Sequence, residues 1–505
     1  MTAIEPGRTV AVVGTGTMGQ GIAQVALVAG HPVRLYDAVE GRAAEAARSI
    51  TARLDRLVEK GRLTVADRDA ARARLHPAAR PAELADSALV IEAIVEQLPA
   101  KQKLFTELES VVPDDCLLAT NTSSLSVTAV AGALRLPGRF VGLHFFNPAP
   151  LLPLVEVVRG HATDEAAADR AYATVAAWGK TPVRCADTPG FIVNRVARPF
   201  YAEAFLLHEE RAADPATIDA VLRECGGFPM GPFELTDLIG QDVNEAVTRS
   251  VYESFFHDPK FRPSLAQRRL VEAGLLGRKT GRGWFDYRDG ADKPLPRTEE
   301  PCEPPAEVAI HGDLGPAAAL RELIETAGIK VTRERAPQDG DGFIALPDGT
   351  RLALTDGRPA SADPVDASIR FDLALDYRDA TRIALAPSDA AGTVSLRGAI
   401  GLFQAIGKRV SVIDDVPGLI VARTVAMLVD FAADAVARQV ASPQDVDIAM
   451  RLGVNYPRGP LEWGTALGTD RVCRLLRGLQ DSCPGDRHAP SVALSRRART
   501  KGGLL

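Results

Sequence analysis

The sequence contains few cysteines, and no two of them form a recognisable pair. The six cysteines among 505 residues show neither metal-ligand nor redox-motif spacing. The sequence therefore predicts no metal site and no disulfide framework, and it favours the reducing cytoplasm. An excess of basic residues is also missing, since the formal net charge is −6 and the sequence pI is about 5.9. Because a phosphate backbone attracts clustered Lys and Arg, nucleic acid is not expected as a partner.

Long apolar runs are missing too. No stretch approaches the roughly 20 apolar residues that span a bilayer. The first residues, MTAIEPGRTVAVVG, lack the charged and apolar regions of a secretory signal. The balance of 46% hydrophobic and 25% charged residues is typical of a soluble protein, and no membrane partner is expected. At this length the chain is expected to form about three to four domains.

The first part of the chain alternates short apolar segments with segments of helical period. RTVAVVG predicts a strand, GQGIAQVALVAG a helix that ends at Gly30, and HPVRLYD a second strand. Such a unit joins parallel strands through a helix. ALVIEAI, DCLLATNTSS and RFVGLHFF predict further strands. The pattern indicates an α/β fold with a doubly wound, Rossmann-type parallel sheet.

Three glycines, Gly14, Gly16 and Gly19 of GTGTMG, follow the first predicted strand. Their spacing suits a dinucleotide: the first makes a tight turn, the second lets a pyrophosphate approach, and the third allows close helix packing. The helix N-terminus adds unpaired N–H groups. Asp37 ends the second strand, where a carboxylate accepts ribose hydroxyls and repels a 2′-phosphate. The sequence therefore predicts NAD rather than NADP, and the alternative is a purely structural turn.

An internal duplication organises the rest of the chain. WGKTPVRCADTPGFIVNR, from Trp178, returns as IGKRVSVIDDVPGLIVAR from Ile406, and FPMGPFE, from Phe228, returns as YPRGPLE from Tyr456. Both pairs have an offset of 228 residues, and the second half lacks the glycine triplet. The predicted segments are an NAD-binding Rossmann-type domain at 1–186, an all-helical domain at 187–290, a proline-rich extended linker at 291–306, a degenerate Rossmann-like segment at 307–410 and a second helical domain at 411–505.

One histidine and one glutamate, His144 and Glu156, interrupt the apolar stretch LHFFNPAPLLPLVEV. On this stretch alone, a functional pair and two buried structural groups are equally good explanations. At the offset of 228, the second copy has Asp372 and Ala384 in their place. The apolar pattern persists there in part, so we infer that packing is not the reason for the pair in the first copy.

Eight separated motifs carry a resemblance to a known family. They are GTGTMGQGIAQ, EAIVE, NTSSLS, LHFFNPAP, LVEVV, DTPGFIVNR, GFPMGPFELTDLIG and GRKTGRGW. In sequence and order they resemble the L-3-hydroxyacyl-CoA dehydrogenase family, continuously over residues 8–288, and the duplicated tail resembles its longer bacterial members. The resemblance looks closest to members that act on 3-hydroxyadipyl-CoA in phenylacetate breakdown. It implies NAD-dependent oxidation of an L-3-hydroxyacyl-CoA to the 3-oxoacyl-CoA, with 3-hydroxybutyryl-CoA as the alternative substrate.

The resemblance also implies roles for individual residues. His144 matches the general base, a task that suits an imidazole with an ordinary pKa of about 6.5, and Glu156 matches the carboxylate that orients it. Ser123, rather than its neighbour Ser124, matches the serine that hydrogen-bonds the substrate hydroxyl, and Asn194 matches an asparagine of the helical domain. Taken singly, Ser123 and Asn194 would also suit helix starts, and Glu156 a buried ion pair. Further cofactor contacts are implied for Glu96, Lys101, Asn147 and Lys279.

Coenzyme A is the other ligand that the resemblance implies. Arg53 and Lys60 lie seven residues apart on the helix after Asp37, hence on one face. Lys60 matches a family lysine, whereas Arg53 replaces a serine, and a solvated helix face is the alternative explanation. Arg198 follows Asn194 by four residues, on the presumed same helix face, and is the candidate cation for a distal substrate carboxylate.

The second half is expected to serve assembly. Single-unit members of the family pair through their helical domains, as the resemblance implies. A duplicated helical domain would supply that surface within one chain, as an intramolecular pseudo-dimer with one active site, and the chain could also form a homo-oligomer. A non-enzymatic binding protein that retains the fold is the alternative from another functional class, and the intact His144, Glu156 and Asn194 argue against it.

Overall fold

The computed structural model describes residues 2–335, 341–363, 367–500 and 503–504, so parts of the predicted segments 307–410 and 411–505 lie outside the described residues. The chain forms two compact units. Unit 1 contains Met1–Arg195 and Ala435–Val454, and unit 2 contains Val196–Asp434 and Asn455–Leu505. No helix in the described residues is long and apolar enough to cross a membrane. In the same ranges, no group of His, Cys, Asp and Glu side chains could hold a metal ion.

Unit 1 is built on an eight-stranded sheet with the order β3-β2-β1-β4-β5-β6-β7-β8. The strands are β1 (Thr9–Val13), β2 (Val33–Tyr36), β3 (Leu75–Ala78), β4 (Ser87–Glu92), β5 (Leu117–Thr120), β6 (Phe140–Phe145), β7 (Leu154–Arg159) and β8 (Thr181–Ala186). Every residue of β1, β4 and β5 is buried, as expected for parallel strands covered on both faces. The predicted Rossmann-type sheet is confirmed.

Helices cover the sheet of unit 1 and recur throughout unit 2. The amphipathic α2, for example, buries Ala43, Ala46, Ile50 and Leu54 at helical spacing. In chain order the helices are α1 (Thr17–Val28), α2 (Arg42–Glu59), α3 (Val65–Ala73), α4 (Leu98–Val111), α5 (Val127–Ala131), α6 (Glu165–Ala177), α7 (Val193–Val196), α8 (Arg198–Glu209), α9 (Pro215–Glu224), α10 (Pro232–Ile239), α11 (Gln241–Ser254), α12 (Leu265–Glu272), α13 (Ala319–Thr326), α14 (Thr393–Ala405), α15 (Val421–Ala437), α16 (Pro443–Val454), α17 (Pro460–Leu467), α18 (Thr469–Ser482) and α19 (Val492–Thr500).

The connection between β6 and β7 changes the direction of the sheet. Strands β1 to β6 are parallel, whereas β7 runs antiparallel to β6, and β8 is parallel to β7. Residues 146–153 join the two strands. A parallel connection needs a crossover of about a dozen residues or more, so this short loop permits only the antiparallel pairing. Its register sets His144 directly opposite Glu156.

Unit 2 contains a second, seven-stranded sheet with the order β10-β9-β11-β12-β13-β14-β15. Its strands are β9 (Glu307–His311), β10 (Lys330–Glu334), β11 (Phe343–Ala345), β12 (Arg351–Leu354), β13 (Ser368–Phe371), β14 (Arg382–Pro387) and β15 (Arg409–Val412). The last four strands repeat the directions of β5 to β8: parallel, antiparallel, parallel. The second sheet is therefore a reduced and altered copy of the first.

The backbone of the two copies confirms the offset of 228 residues. Gly190 and Gly418 have φ of 76° and 74°, and the residues after them, Phe191 and Leu419, have φ of 49° and 53°. A positive φ is uncommon in residues other than glycine, so its recurrence shows that the same turn follows the last strand of each sheet.

The predicted linker, residues 291–306, contains neither a helix nor a strand, but it is anchored along its length. The N–H of Arg297 donates to Thr217 Oγ1 at 2.8 Å, and that of Glu299 donates to the carbonyl of Val410 at 2.9 Å. The N–H of Cys302 donates to Gln404 Oε1 at 2.8 Å. These bonds attach the segment to α9, β15 and α14 within unit 2.

Candidate active site

The glycine-rich turn between β1 and α1 has the geometry of a dinucleotide cradle. Gly14 has φ of 99°, and an ideal Cβ on it would meet the carbonyl oxygen of Ala93 at 2.4 Å. A Cβ on Gly19 would lie 1.8 Å from the carbonyl oxygen of Gly14, whereas one on Gly16 would meet nothing within 4 Å. The first and third glycines thus permit close packing and the second faces open space, which are the three predicted roles. Gly16 caps α1 without a side-chain hydrogen bond, so the helix N-terminus offers N–H groups to an anion.

Asp37 lies directly after β2 and is tied to the same turn. Its Oδ2 accepts hydrogen bonds from the N–H and the hydroxyl of Thr15, at 3.0 and 2.5 Å. Partial burial alone would raise the pKa of Asp37, but these bonds and one from the N–H of Val39 hold it below its ordinary value. The carboxylate is therefore ionised and half-buried at the strand end, where a ribose would be recognised.

His144 and Glu156 form a buried pair in the first sheet. His144 Nδ1 lies 2.5 Å from Glu156 Oε2, and the side chain of Glu156 is fully buried. A carboxylate at this distance fixes the tautomer with hydrogen on Nδ1, which leaves Nε2 as the basic nitrogen. Phe146 and Phe191 pack against the imidazole with ring centroids 4.4 and 5.7 Å away. The arrangement can accept a proton at Nε2 and stabilise the resulting imidazolium.

The second oxygen of Glu156 is held by the backbone. Glu156 Oε1 accepts hydrogen bonds from the N–H groups of Ile192 and Val193, at 3.0 and 2.9 Å. These residues lie in the turn that opens α7, and Asn194 follows them. The amide of Asn194 donates to the carbonyl oxygen of Ser123 at 3.4 Å. The structure thus brings Glu156, Asn194 and Ser123 to the same end of the first sheet.

Glu96 joins Ser123 and Lys101. Its Oε1 accepts from the N–H of Ser123 at 2.9 Å and from the hydroxyl of Thr122 at 2.5 Å. Burial alone would raise the pKa of Glu96, but Lys101 and these donors hold it below its ordinary value. Lys101 Nζ lies 2.6 Å from Glu92 Oε1 and 3.2 Å from Glu96 Oε2. Lys101, Glu96, Ser123 and Asn194 are therefore linked by a chain of hydrogen bonds and an ion pair.

Comparison with known proteins assigns the chain to a family. The NAD binding domain of 3-hydroxyacyl-CoA dehydrogenase matches residues 9–188, and the C-terminal domain of 3-hydroxyacyl-CoA dehydrogenase matches residues 190–287 and 418–502. The 3-hydroxyadipyl-CoA dehydrogenase of Escherichia coli (strain K12) is 43% identical over 98% of this chain and 98% of its own. The chain belongs to the 3-hydroxyacyl-CoA dehydrogenase family. The predicted family, enzyme class and NAD cofactor are confirmed.

Other relatives agree on the family and differ in the acyl group that their names give. The crystal structure of 3-hydroxybutyryl-CoA dehydrogenase from Escherichia coli K12 matches with a TM-score of 0.89 at 42% identity, over 98% of each chain. The 3-hydroxybutyryl-CoA dehydrogenase of Bradyrhizobium diazoefficiens is 42% identical over 57% of this chain and 98% of its own. A 3-hydroxybutyryl-CoA dehydrogenase reduced Rossmann-fold domain matches residues 352–417. This match falls on the reduced second sheet.

Two predicted ligand residues are buried. Lys101 is 1% exposed and forms ion pairs with Glu92 and Glu96, so it supports the loop of Glu96, and its contact with the cofactor stays a prediction. Arg198 does not share a helix with Asn194, because α7 ends at Val196 and α8 begins at Arg198. Its guanidinium is buried, donates to Thr248 at 3.0 Å and lies 5.0 Å above the Tyr201 ring. The shared helix face is therefore wrong, and a role of Arg198 toward a substrate carboxylate stays a prediction.

The remaining predicted ligand residues are Arg53, Lys60, Asn147 and Lys279. Arg53 donates to Gln20, whereas Lys60 is the exposed C-cap of α2, so a shared coenzyme A surface stays a prediction. Asn147 is exposed just after β6. Lys279, in unit 2, forms an ion pair with Asp242. Their roles toward the ligands stay predictions.

Sequence reasoning missed three polar residues that shape this site. Glu92, at the end of β4, accepts from Thr120 Oγ1 at 2.7 Å as well as from Lys101. Asn121 Oδ1 accepts the N–H of Phe145 at 2.9 Å, beside His144. Asp187 caps α5 through the N–H groups of Val127 and Thr128. The repeat could have drawn attention to Asp187, because the corresponding residue at the offset of 228, Asp415, is also an aspartate.

Proposed function

We propose that this chain oxidises an L-3-hydroxyacyl-CoA at His144, with NAD as the hydride acceptor. The observation that carries the assignment is the buried pair of His144 and Glu156, in the unit that also contains the glycine cradle. The cradle fits NAD, because Gly16 leaves room for a pyrophosphate and Asp37 is ionised where the ribose is expected. NAD, when bound, accepts the hydride that leaves the substrate carbon.

His144 acts as the general base in this proposal. Nε2 takes the proton of the substrate hydroxyl, the O–H electron pair forms the carbonyl double bond, and the hydrogen on the same carbon leaves as hydride. Among the described residues, no protein group makes a hydrogen bond with Nε2 in the structure, so the nitrogen is available to a substrate. Glu156 keeps the proton on Nδ1 and stabilises the imidazolium that forms.

Ser123 and Asn194 position the substrate in this proposal. The hydrogen bond from the Asn194 amide to the backbone carbonyl oxygen of Ser123 orders the Asn194 side chain at the same strand ends as His144. The hydroxyl of Ser123 lies 3.5 Å from Glu96 Oε1, and it would turn from that carboxylate to the substrate hydroxyl. General acid–base catalysis gains from such fixed geometry.

The leading substrate is 3-hydroxyadipyl-CoA. It is supported by the relative of that name, which matches nearly the whole length of this chain, including the second half. 3-Hydroxybutyryl-CoA is the second candidate, since a full-length structural relative is named for that substrate. An assay of NAD reduction with acyl chains of several lengths, with and without a terminal carboxylate, decides between them by kcat/KM. A higher kcat/KM for 3-hydroxybutyryl-CoA would overturn the first choice.

His144→Ala tests the chemistry. Loss of the base is expected to lower kcat by about 10²- to 10⁴-fold, with NADH affinity unchanged. His161→Ala is the matched control, because His161 is exposed and its imidazole is not part of the site. Equal kcat for His144→Ala and wild type would remove the histidine from the mechanism. If wild type forms no NADH with any 3-hydroxyacyl-CoA, the non-enzymatic alternative is favoured.

The second half would complete an intramolecular pseudo-dimer. In unit 2, Glu203 of α8 is fully buried and contacts Arg423 Nε at 2.8 Å, Arg487 Nε at 2.9 Å and His488 Nε2 at 3.0 Å. A buried carboxylate needs such partners, and all three come from the second half. Truncation after residue 290 is therefore expected to give an insoluble or dimerising fragment. A soluble, active, monomeric fragment on gel filtration would contradict the pseudo-dimer. The cytoplasmic location and a homo-oligomer of whole chains stay predictions.

A further inference from the structure

Helix α16 belongs to the second half of the sequence, yet in unit 1 it packs against β7, the strand of Glu156, and against β8. The carbonyl oxygen of Val440, just before α16, accepts the N–H of Ala186 at 2.8 Å. In the first turn of α16, the carboxylate of Asp445 accepts the backbone N–H of Arg184. Both donors are in β8, which pairs with β7, the strand of Glu156. The helix is thus fixed to the sheet at its N-terminal end.

At the other end of α16, Gly453 touches the groups that hold the pair. An ideal Cβ on Gly453 would lie 2.7 Å from Leu154 Cδ2, 3.1 Å from Val193 Cγ2 and 3.8 Å from Phe146 Cε1. Phe146 packs on the ring of His144, and the N–H of Val193 donates to Glu156. The two close approaches are therefore to Leu154 and to Val193, whose N–H holds Glu156, whereas Phe146 lies at ordinary van der Waals distance.

The other copy shows why this position is glycine. At the offset of 228, Gly453 corresponds to Cys225, whose neighbours differ: Ala374 replaces Phe146, and Arg382 replaces Leu154. The thiol of Cys225 is buried and contacts the carbonyl oxygen of Leu373 at 3.2 Å. A side chain is accommodated beside the second sheet, where alanine takes the place of Phe146, whereas beside the first sheet a Cβ would come too close to Leu154 and Val193.

We propose that Gly453 is a positioning residue for the His144–Glu156 pair, through Leu154, Phe146 and Val193, so that the second half of the chain helps to build the active site of the first. The proposal rests on the function proposed above. Leu154 is fully buried, so its methyl groups cannot move into solvent to make room. An added methyl group would instead displace Leu154 and Val193, and with Val193 the N–H that holds Glu156, the carboxylate that orients His144.

Gly453→Ala in the full-length chain tests the proposal. A shift of the pair by a few tenths of an ångström to about 1 Å is expected to lower kcat by roughly 10- to 100-fold. The KM for the acyl-CoA and the affinity for NADH, measured by fluorescence, should change much less, and the acid limb of the kcat–pH profile should move, since it reports the base. Gly398→Ala in α14 is the control, because its Cβ would meet its nearest neighbour, Leu346 Cδ1, at 3.8 Å. Alanine there should be neutral or stabilising.

Leu154→Val provides the rescue, because it removes the methyl group closest to the added Cβ. Gly453→Ala with Leu154→Val should recover most of the kcat lost in Gly453→Ala, and the single variants complete the cycle. Wild-type kcat in Gly453→Ala would overturn the proposal, as would a loss that Leu154→Val does not reduce. If Gly453→Ala does not fold, Gly453→Cys with Phe146→Ala introduces two of the three residues of the other copy, which also has Arg382 in place of Leu154, and wild-type kcat in that variant would also overturn the proposal. An inactive wild type would instead overturn the proposed function.

Discussion

The same turn occurs twice in this chain, and a carboxylate binds it in two different ways. In the first copy, Glu156 Oε1 accepts the N–H groups of Ile192 and Val193. In the second copy, Asp372 Oδ2 accepts those of Ile420 and Val421, at 3.0 and 2.7 Å. The donors correspond at the offset of 228, but the acceptors do not. Glu156 lies on β7. Asp372 instead occupies the position that corresponds to His144, directly after β13, the counterpart of β6.

This difference separates two tasks of one carboxylate. Glu156 satisfies the buried N–H groups of the turn with one oxygen and holds His144 with the other. In the second copy the first task has moved to Asp372, so alanine suffices in place of Glu156 and no base remains. The second copy has therefore lost only one of these two tasks. Asp372 has a structural role of its own, because it accepts hydrogen bonds from buried N–H groups that need an acceptor.

The largest expected effect on kcat comes from giving the first copy the residues that the second copy has at these two positions. His144→Asp combined with Glu156→Ala is expected to lower kcat by about 10³-fold or more, because base and orienting group are both removed. The fold should nevertheless survive, since the introduced aspartate can accept the N–H groups of the turn. Steady-state kinetics and urea unfolding measure the two effects.

Glu156→Ala alone is the matched control for that exchange. It leaves the buried N–H groups of Ile192 and Val193 without an acceptor, at a cost of about 1–3 kcal/mol for each unsatisfied donor. It should therefore be less stable than the double variant. Equal or lower stability of the double variant would show that the two carboxylates are not interchangeable at the turn.

The two glycine turns sharpen the comparison for the cofactor. By the pairing of β9 with β10, Gly312 corresponds to Gly14, and its N–H donates to the carbonyl oxygen of Glu334 as that of Gly14 does to Tyr36. Leu314, which is buried, takes the place of Gly16. Gly16→Leu is expected to weaken NAD binding by roughly 100-fold or more, because at least two charged hydrogen bonds of about 1.5–3 kcal/mol are blocked. Calorimetric titration with NADH measures the loss, and an unchanged Kd would contradict the cradle.

Much of this arrangement was predictable from local sequence signals. The strand, glycine turn, helix and Asp37 follow from spacing and periodicity, and the repeat was visible at one offset. Which carboxylate accepts the N–H groups of each turn was not predictable. Glu156 and Asp372 are distant from these N–H groups in the sequence and meet them only in the folded chain. The buried Lys101 and the break at Ala197 were likewise missed, since burial and helix boundaries depend on tertiary packing.

Asp372→Ala tests whether the second copy depends on its carboxylate as we infer. The variant leaves the buried N–H groups of Ile420, Val421 and Ala422 without their acceptor, so a loss of about 3 kcal/mol or more of unfolding free energy is expected. The kcat of the folded variant should stay near that of wild type. Asp372→Asn, which keeps one acceptor oxygen, should be less affected. Unchanged urea unfolding of Asp372→Ala would contradict the inferred role.

The smallest effect on activity is expected at Arg198. Its counterpart in the second copy is Ala426, which lines an apolar cavity of about 20 Å³. Arg198 is 6% exposed and engaged by Thr248 and Tyr201. Arg198→Ala should therefore change the ratio of kcat/KM for 3-hydroxyadipyl-CoA and 3-hydroxybutyryl-CoA by less than about two-fold, even if stability falls, since a lost charge-assisted contact would cost about ten-fold. A ten-fold loss of preference for the dicarboxylyl substrate would show that Arg198 recognises its distal carboxylate. An unchanged ratio of kcat/KM would mean that Arg198 and Ala426 differ only in how they pack, and not in substrate recognition.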